Sequence, residues 1–127
     1  MDILRYTREH ENALINALEA DSDWDMFTND ESAANYKRRL LESMTYVCLE
    51  NGVFCGYVRA LVDDFFAVYI SELFVVPEWR NRKIGRALIR EVKMVFPHLP
   101  VYALSDEDTY YEKLGYKNIG SVYEITG

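Results

Sequence analysis

The chain is poor in the residues that bind metals or crosslink a fold: its 127 residues include two cysteines and two histidines. Cys48, Cys55, His10 and His98 show none of the close spacing that metal ligands use, so no metal is expected. The cysteines flank Asn51-Gly52. Counting outward from a two-residue turn there pairs 48 with 55 at the wider spacing of a hydrogen-bonded pair, which is awkward for a disulfide. Two reduced, partly buried thiols in a cytoplasmic protein are expected. No apolar run approaches membrane-spanning length, and the N-terminus turns polar at Asp2 and Arg5 before a leader core forms, so neither a membrane anchor nor export is expected. No Gly-x-x-x-x-Gly-Lys-Ser/Thr pattern occurs, which makes ATP a poor candidate. Cations are also in deficit: 14 against 21 acids give a net charge of −7, which disfavours a nucleic-acid surface.

What is present is a globular composition, half hydrophobic and 14% aromatic, at a length suited to one domain over residues 1–127. The charge is unevenly placed. Residues 80 to 93 hold six cations against Glu91 alone, a local +5 that leaves −12 for the remainder. One basic patch on an acidic body suits a small polyanion, with the other surface better matched to cations. The patch follows Leu73-Phe74-Val75-Val76-Pro77, which reads as a buried strand and a turn, and it opens an apolar-periodic helix. A helix start offers free N–H groups and partial positive charge, so Arg80, Arg82, Lys83 and Arg86 crowded there point to a bound phosphate. The alternative is a solvated helix end.

Periodicity predicts strands near 3–6, 45–49, 53–61, 66–76 and 101–104, with one or two more within 116–125. Helices are predicted near 8–20, from a cap at 30 (or 29) to about 43, over 84–96 and over 108–114. This order implies an antiparallel meander, then a strand–helix–strand crossover that sets 66–76 and 101–104 parallel.

Two motifs in this order resemble the GNAT superfamily of N-acetyltransferases. The first is Leu73-Phe74-Val75-Val76-Pro77 followed by Arg80-Asn81-Arg82-Lys83-Ile84-Gly85; the second is Tyr110-Tyr111-Glu112-Lys113-Leu114-Gly115-Tyr116. The resemblance covers almost the entire chain. It implies an α/β fold with a mixed six- to seven-stranded sheet flanked by helices, and transfer of acetyl from acetyl-CoA to a primary amine. Lys83 stands where the family's motif has its first glycine; lysine keeps its N–H, and the site is expected to survive with a helical backbone there.

By this resemblance, main-chain groups of Phe74, Val75 and Val76 would pair with the pantetheine arm. N–H groups across Arg82, Lys83, Ile84, Gly85, Arg86 and Ala87 would hold the pyrophosphate, with Arg80, Lys83 or Arg86 near the phosphates. Tyr111 matches the tyrosine that protonates the leaving thiolate; its other reading is a packing aromatic, the role given to Tyr110. Glu72, the only carboxylate of residues 65–76, is a candidate base. Equally, it is a strand glutamate bridging to a neighbour such as Arg59. Asp106 and Glu107 are alternates, and an amine that arrives deprotonated needs no base. Asp23, Trp24 and Asp25 lie in an acidic aromatic loop suited to a cationic amine, or to a solvated loop anchored by Trp24. The acceptor is thus a small-molecule or peptide amine, including a cationic one. The rival reading is a non-catalytic acyl-CoA-binding or partner-binding module. The short C-terminus leaves little room for a final hairpin, so completion of the sheet in a homodimer is a further expectation.

Overall fold

Asn51 and Gly52 both take positive φ (51° and 80°), the turn that matches the twist of a tight hairpin, and the meander grows from it. A computed structural model describes residues 1–21, 23–24 and 30–127, apart from the side chains of 30 and 31. The elements run β1 (Asp2–Arg5), α1 (Glu11–Glu19), α2 (Asp30–Glu42), β2 (Met44–Glu50), β3 (Val53–Asp63), β4 (Ala67–Val75), α3 (Ile84–Val95), β5 (Val101–Ala103) and α4 (Asp108–Lys113). The sheet has the order β1-β2-β3-β4-β5. The first four strands pair antiparallel, and β5 runs parallel to β4, as the intervening α3 crossover requires.

Alternation along the strands sends side chains to two cores. One face packs Tyr46, Cys48, Val58, Val68 and Ile70 against Ile84, Leu88, Ile89 and Val92 of α3. The other packs Val47, Tyr57 and Phe74 against Leu14, Ile15 and Leu18 of α1 and Tyr36 and Leu40 of α2. Burying each such side chain contributes about 1.5–3 kcal/mol, so the faces hold the helices in place.

Two register shifts break the alternation. Cys48 pairs with Gly56 and Leu49 with Phe54, so Cys55 is the extra residue of a bulge. The 48/55 pair counted from the turn therefore does not form, and both thiols are free and fully buried. In the second shift, Arg59 pairs with Glu72 and Ala60 with Ile70, which leaves Ser71 extra. An extra residue reverses the facing of everything beyond it. Val68 and Ile70 thus face α3, whereas Phe74 belongs to the core under α1 and α2.

The strand count corrects the six to seven expected: among the described residues the sheet has five, and 116–127 carries no regular element. The outer edge for a sixth strand is β5, only three residues long, and so offers a short ladder. Among the described residues no helix is long and apolar enough to cross a membrane.

Candidate active site

β4 and β5 part company at the Ser71 bulge. Their pairing runs from Val68–Val101 to Ile70–Ala103, and the Leu104 N–H donates to the Ile70 carbonyl at 3.0 Å. β4 continues to Val75 with β3 on one side and no strand of the described residues on the other. A strand edge left open beside a diverging neighbour is where an extended ligand adds its own hydrogen bonds.

A cleft of about 290 Å³ lies at this fork, lined by Asp23, Trp24, Ser71, Glu72, Leu73, Leu104, Ser105, Asp106, Tyr111 and Val122. Among the described residues, three of its walls are carboxylates and none is a cation. Trp24 lies 5.3 Å from Phe74 and 6.5 Å from Tyr57, ring centre to ring centre, so an aromatic group underlies the cleft. Tyr111 comes from α4, where its ring meets Tyr110 edge-on at 5.3 Å and 88°. Burial, with lesser effects of Tyr110 and Asp106, pushes the Tyr111 phenol up to about 12. Tyr111 therefore holds its proton at neutral pH. The Tyr110 hydroxyl instead sits against Gly85, where a Cβ would overlap it.

Glu72 is 5% exposed, and the bulge turns it toward α2 rather than α3. The bridge to Arg59, one of the two sequence readings, is formed: Arg59 Nε donates to Oε1 at 2.6 Å and Nη2 to Oε2 at 2.8 Å. The Tyr36 hydroxyl also donates to Oε1, at 2.5 Å, and lies 2.6 Å from the Tyr57 hydroxyl. Arg59 Nη1 donates to Ser43 Oγ at 2.9 Å. Burial pushes the Tyr36 phenol far up, with Tyr57 and Glu72 adding to the rise; burial also raises Tyr57. Both phenols stay protonated and can donate.

The basic cluster stands at the far end of β4. After a 3-10 turn at Pro77–Trp79, Lys83 precedes α3 with φ 65° and ψ 17°, left-handed rather than helical, and no side chain caps the helix. The first intrahelical bond there runs from the Ala87 N–H to the Lys83 carbonyl at 3.1 Å. The N–H groups of Ile84, Gly85 and Arg86 precede that bond and lie in the uncapped first turn, and no acid lies there. These features fit a pyrophosphate. Lys83 and Arg86 are exposed. Arg80 and Arg82 are turned elsewhere: Arg80 Nε donates to the Val75 carbonyl at 2.9 Å and Nη2 lies 3.6 Å from Asp21, while Arg82 stacks 4.8 Å over Trp79. The Val76 N–H donates to the Cys55 carbonyl at 2.8 Å, so of the main-chain groups of Phe74, Val75 and Val76 these two already have partners.

The fork thus gathers Tyr111, Glu72, Asp23, Trp24 and the alternate Asp106 around one cleft. Arg80, Arg82, Lys83, Ile84, Gly85, Arg86 and Ala87 lie beyond the end of β4, and Asp25 lies outside the described residues. Glu107 precedes α4 and does not line the cleft. Among the described residues no cluster able to hold a metal occurs. Sequence reasoning missed Tyr36 and Tyr57, which read as ordinary core aromatics. The only signal was a strand register, and the bulge hides it.

Compared with known proteins, the family model described as "Acetyltransferase (GNAT) domain" matches residues 42–118. No curated protein matches the chain in sequence. Among solved structures it resembles the aminoglycoside N-acetyltransferase AAC(6')-Iy in complex with a bisubstrate analogue, CoA-S-monomethyl-acetylneamine. That likeness has 19% identity, covers 99% of this chain and 97% of that chain, and has a TM-score of 0.77. It also resembles the PaiA N-acetyltransferase from Thermoplasma acidophilum in complex with coenzyme A (14% identity, 91% and 89% covered, TM-score 0.73). A third likeness is to a protein described as a transcriptional regulator from Bacillus halodurans (15% identity, 99% and 99% covered, TM-score 0.76). At such identities the likeness is one of fold, and one fold here carries differing descriptions, so activity has to be argued from the site.

Proposed function

The chain belongs to the GNAT acetyltransferase family, and from that premise we propose that residues 1–127 form one domain that transfers acetyl from acetyl-CoA to a primary amine by direct attack in a ternary complex. The carrying observation is the cleft at the β4–β5 fork, where Tyr111, Glu72 and Trp24 converge beside the open edge of β4. Acetyl-CoA supplies the acyl thioester. Main-chain groups along Phe74–Val76 would hold its pantetheine arm, and the uncapped first turn of α3, with Lys83 and Arg86, its pyrophosphate.

The chain's own residues then divide the work. Glu72 accepts a proton from the attacking nitrogen, directly or through water, as the new N–C bond forms. A backbone N–H near Phe74 or Val75 stabilises the oxygen that gains charge. Tyr111 gives its proton to sulfur as the C–S bond breaks. Exchange with water returns a proton to Tyr111 and removes one from Glu72. Direct attack fits the cysteines: both are buried, and burial, then Cys55, pushes Cys48 up to about 11, so neither offers a ready thiolate. Asp23, Glu72 and Asp106 around Trp24 favour a cationic acceptor, a small-molecule or peptide amine.

CoA release from acetyl-CoA across polyamines, aminoglycosides, amino acids and peptides tests this reading, with Tyr111→Phe beside the parent. The expected outcome is turnover on a cationic amine class, with kcat lowered roughly 100-fold or more in the variant. Acetyl-CoA binding without turnover on any amine would instead make the chain an acyl-CoA-binding module.

A further inference from the structure

One carboxylate would suffice for the proton transfer above, yet the structure surrounds Glu72 with donors from two elements and a third group behind them. We infer that Tyr57, Tyr36 and Arg59 form a positioning relay that fixes the Glu72 carboxylate with a single acceptor site on Oε2 turned to the cleft. The inference rests on the acetyl-transfer reading, since the relay serves that reaction.

The hydrogen bonds have a direction. Tyr36 has one hydroxyl proton, and it goes to Glu72 Oε1. The 2.6 Å contact between the two phenols is then donated by Tyr57, so the chain runs one way, into the carboxylate. Arg59 grips both oxygens from the paired position on β3, which stops the carboxylate from rotating. Ser43 accepts from the remaining nitrogen, Nη1, at 2.9 Å, and Ser71 accepts from Nη2, which also serves Oε2, at 3.3 Å. A carboxylate has about four acceptor sites. Among the described residues, two on Oε1 and one on Oε2 are taken. The remaining site belongs to the side chain that lines the cleft. An amine N–H placed there is held with its nitrogen toward the open edge of β4.

The groups around Glu72 act on its charge from every side. Arg59 and Tyr57 come from β3 and Tyr36 from α2. Across the cleft stand Tyr111 of α4, Asp23 after α1 and Asp106 after β5. Removing the Tyr36 hydroxyl opens a second acceptor site on Oε1 and leaves Arg59 alone, among the described residues, to aim the carboxylate.

The test is kcat and KM at neutral pH for the parent, Tyr36→Phe, Tyr57→Phe, Arg59→Gln and Arg59→Lys, each with its thermal midpoint. For Tyr36→Phe, kcat should fall about tenfold with KM for acetyl-CoA unchanged. Tyr57→Phe should lower kcat in the same way by less, because it acts through Tyr36. Arg59→Lys should recover part of the kcat lost in Arg59→Gln. A lower thermal midpoint with kcat unmoved would make the phenols structural only and overturn the inference. Should Tyr36→Phe fail to fold, Tyr57→Phe decides by the same criteria. A parent that turns over no amine overturns the acetyl-transfer reading and the relay with it; a parent that turns over, with kcat unmoved in the phenol variants, overturns the relay alone.

Discussion

Lys83 takes a left-handed backbone conformation of the kind that glycine adopts without steric cost. Its φ of 65° lies where a Cβ crowds the following carbonyl, at a penalty of about 1–2 kcal/mol. Its N–H and ammonium stay at the start of α3, beside exposed Arg86. A helical backbone at this residue, the condition set from the sequence for the site to survive, is not what forms, yet the free first-turn N–H groups remain. Lys83→Gly should raise stability by up to roughly 1 kcal/mol, because relief of the Cβ clash exceeds the added freedom of glycine in the unfolded chain by about that much. It should also weaken acetyl-CoA binding through the lost cation. Denaturant melts and calorimetric titration with acetyl-CoA read the two effects separately, and a loss of stability would overturn the strain argument.

At the scale of elements, the site is a product of two bulges. The bulge at Ser71 turns Glu72 from the α3 face to the α2 face, and β5 ceases to pair at the residue before it. The bulge at Cys55 brings Gly56 opposite Val75, where the close approach of strands demands glycine: a Cβ would meet the Phe74 carbonyl oxygen at 2.5 Å. That atom is backbone and cannot swing aside. Gly56→Ala should therefore push β3 and β4 apart at the fork and destabilise by about 1–3 kcal/mol. Urea unfolding checks the magnitude, and a neutral result would show that the strands give way. Gly85 is a contrasting case, because its neighbour is the end of the Tyr110 side chain and that can move.

Over the whole molecule, the two cores differ in chemistry. The α3 face is mainly aliphatic, with both thiols, while the α1–α2 face contains phenols, a guanidinium and a carboxylate. The buried phenols and thiols of both faces should set the response to alkali. Burial raises Tyr6 and Tyr111 from the usual 10 to about 12, and Tyr36 and Tyr57 higher still. Below about pH 10 folded and unfolded chains both keep these protons, so the phenols cost nothing. Above it the unfolded chain releases them first, and each raised phenol lowers stability by up to about 1.4 kcal/mol per pH unit until its folded value is reached. The thermal midpoint should hold level from neutrality to about pH 8.5, decline as the unfolded chain releases the protons of Cys48 and Cys55, both raised by burial in the fold, and fall steeply above about pH 10, with a shallower fall in Tyr6→Phe. A midpoint unchanged to pH 11, about one unit above the free phenol, would contradict the burial of these groups.

Much of this was determined by the sequence itself. Helical spacing in α3, the Asn-Gly turn and the basic run at 80–86 are local patterns, and local patterns fix elements and their order. The second motif likewise set Tyr110 apart from Tyr111 before any packing was known, and the structure turns one to Gly85 and the other to the cleft. The one or two strands expected within 116–125 do not form, because a strand needs a partner edge and not only a suitable composition. The tertiary structure alone decided which way Glu72 faces. Strict alternation places it with Val68 and Ile70; one extra residue at Ser71 reverses that, and the energy of a bulge depends on how two strands fit rather than on either read alone. The relay of Tyr57, Tyr36 and Arg59 follows from that reversal, since only packing of α2 on the sheet brings residues 36, 57, 59 and 72 within hydrogen-bond reach.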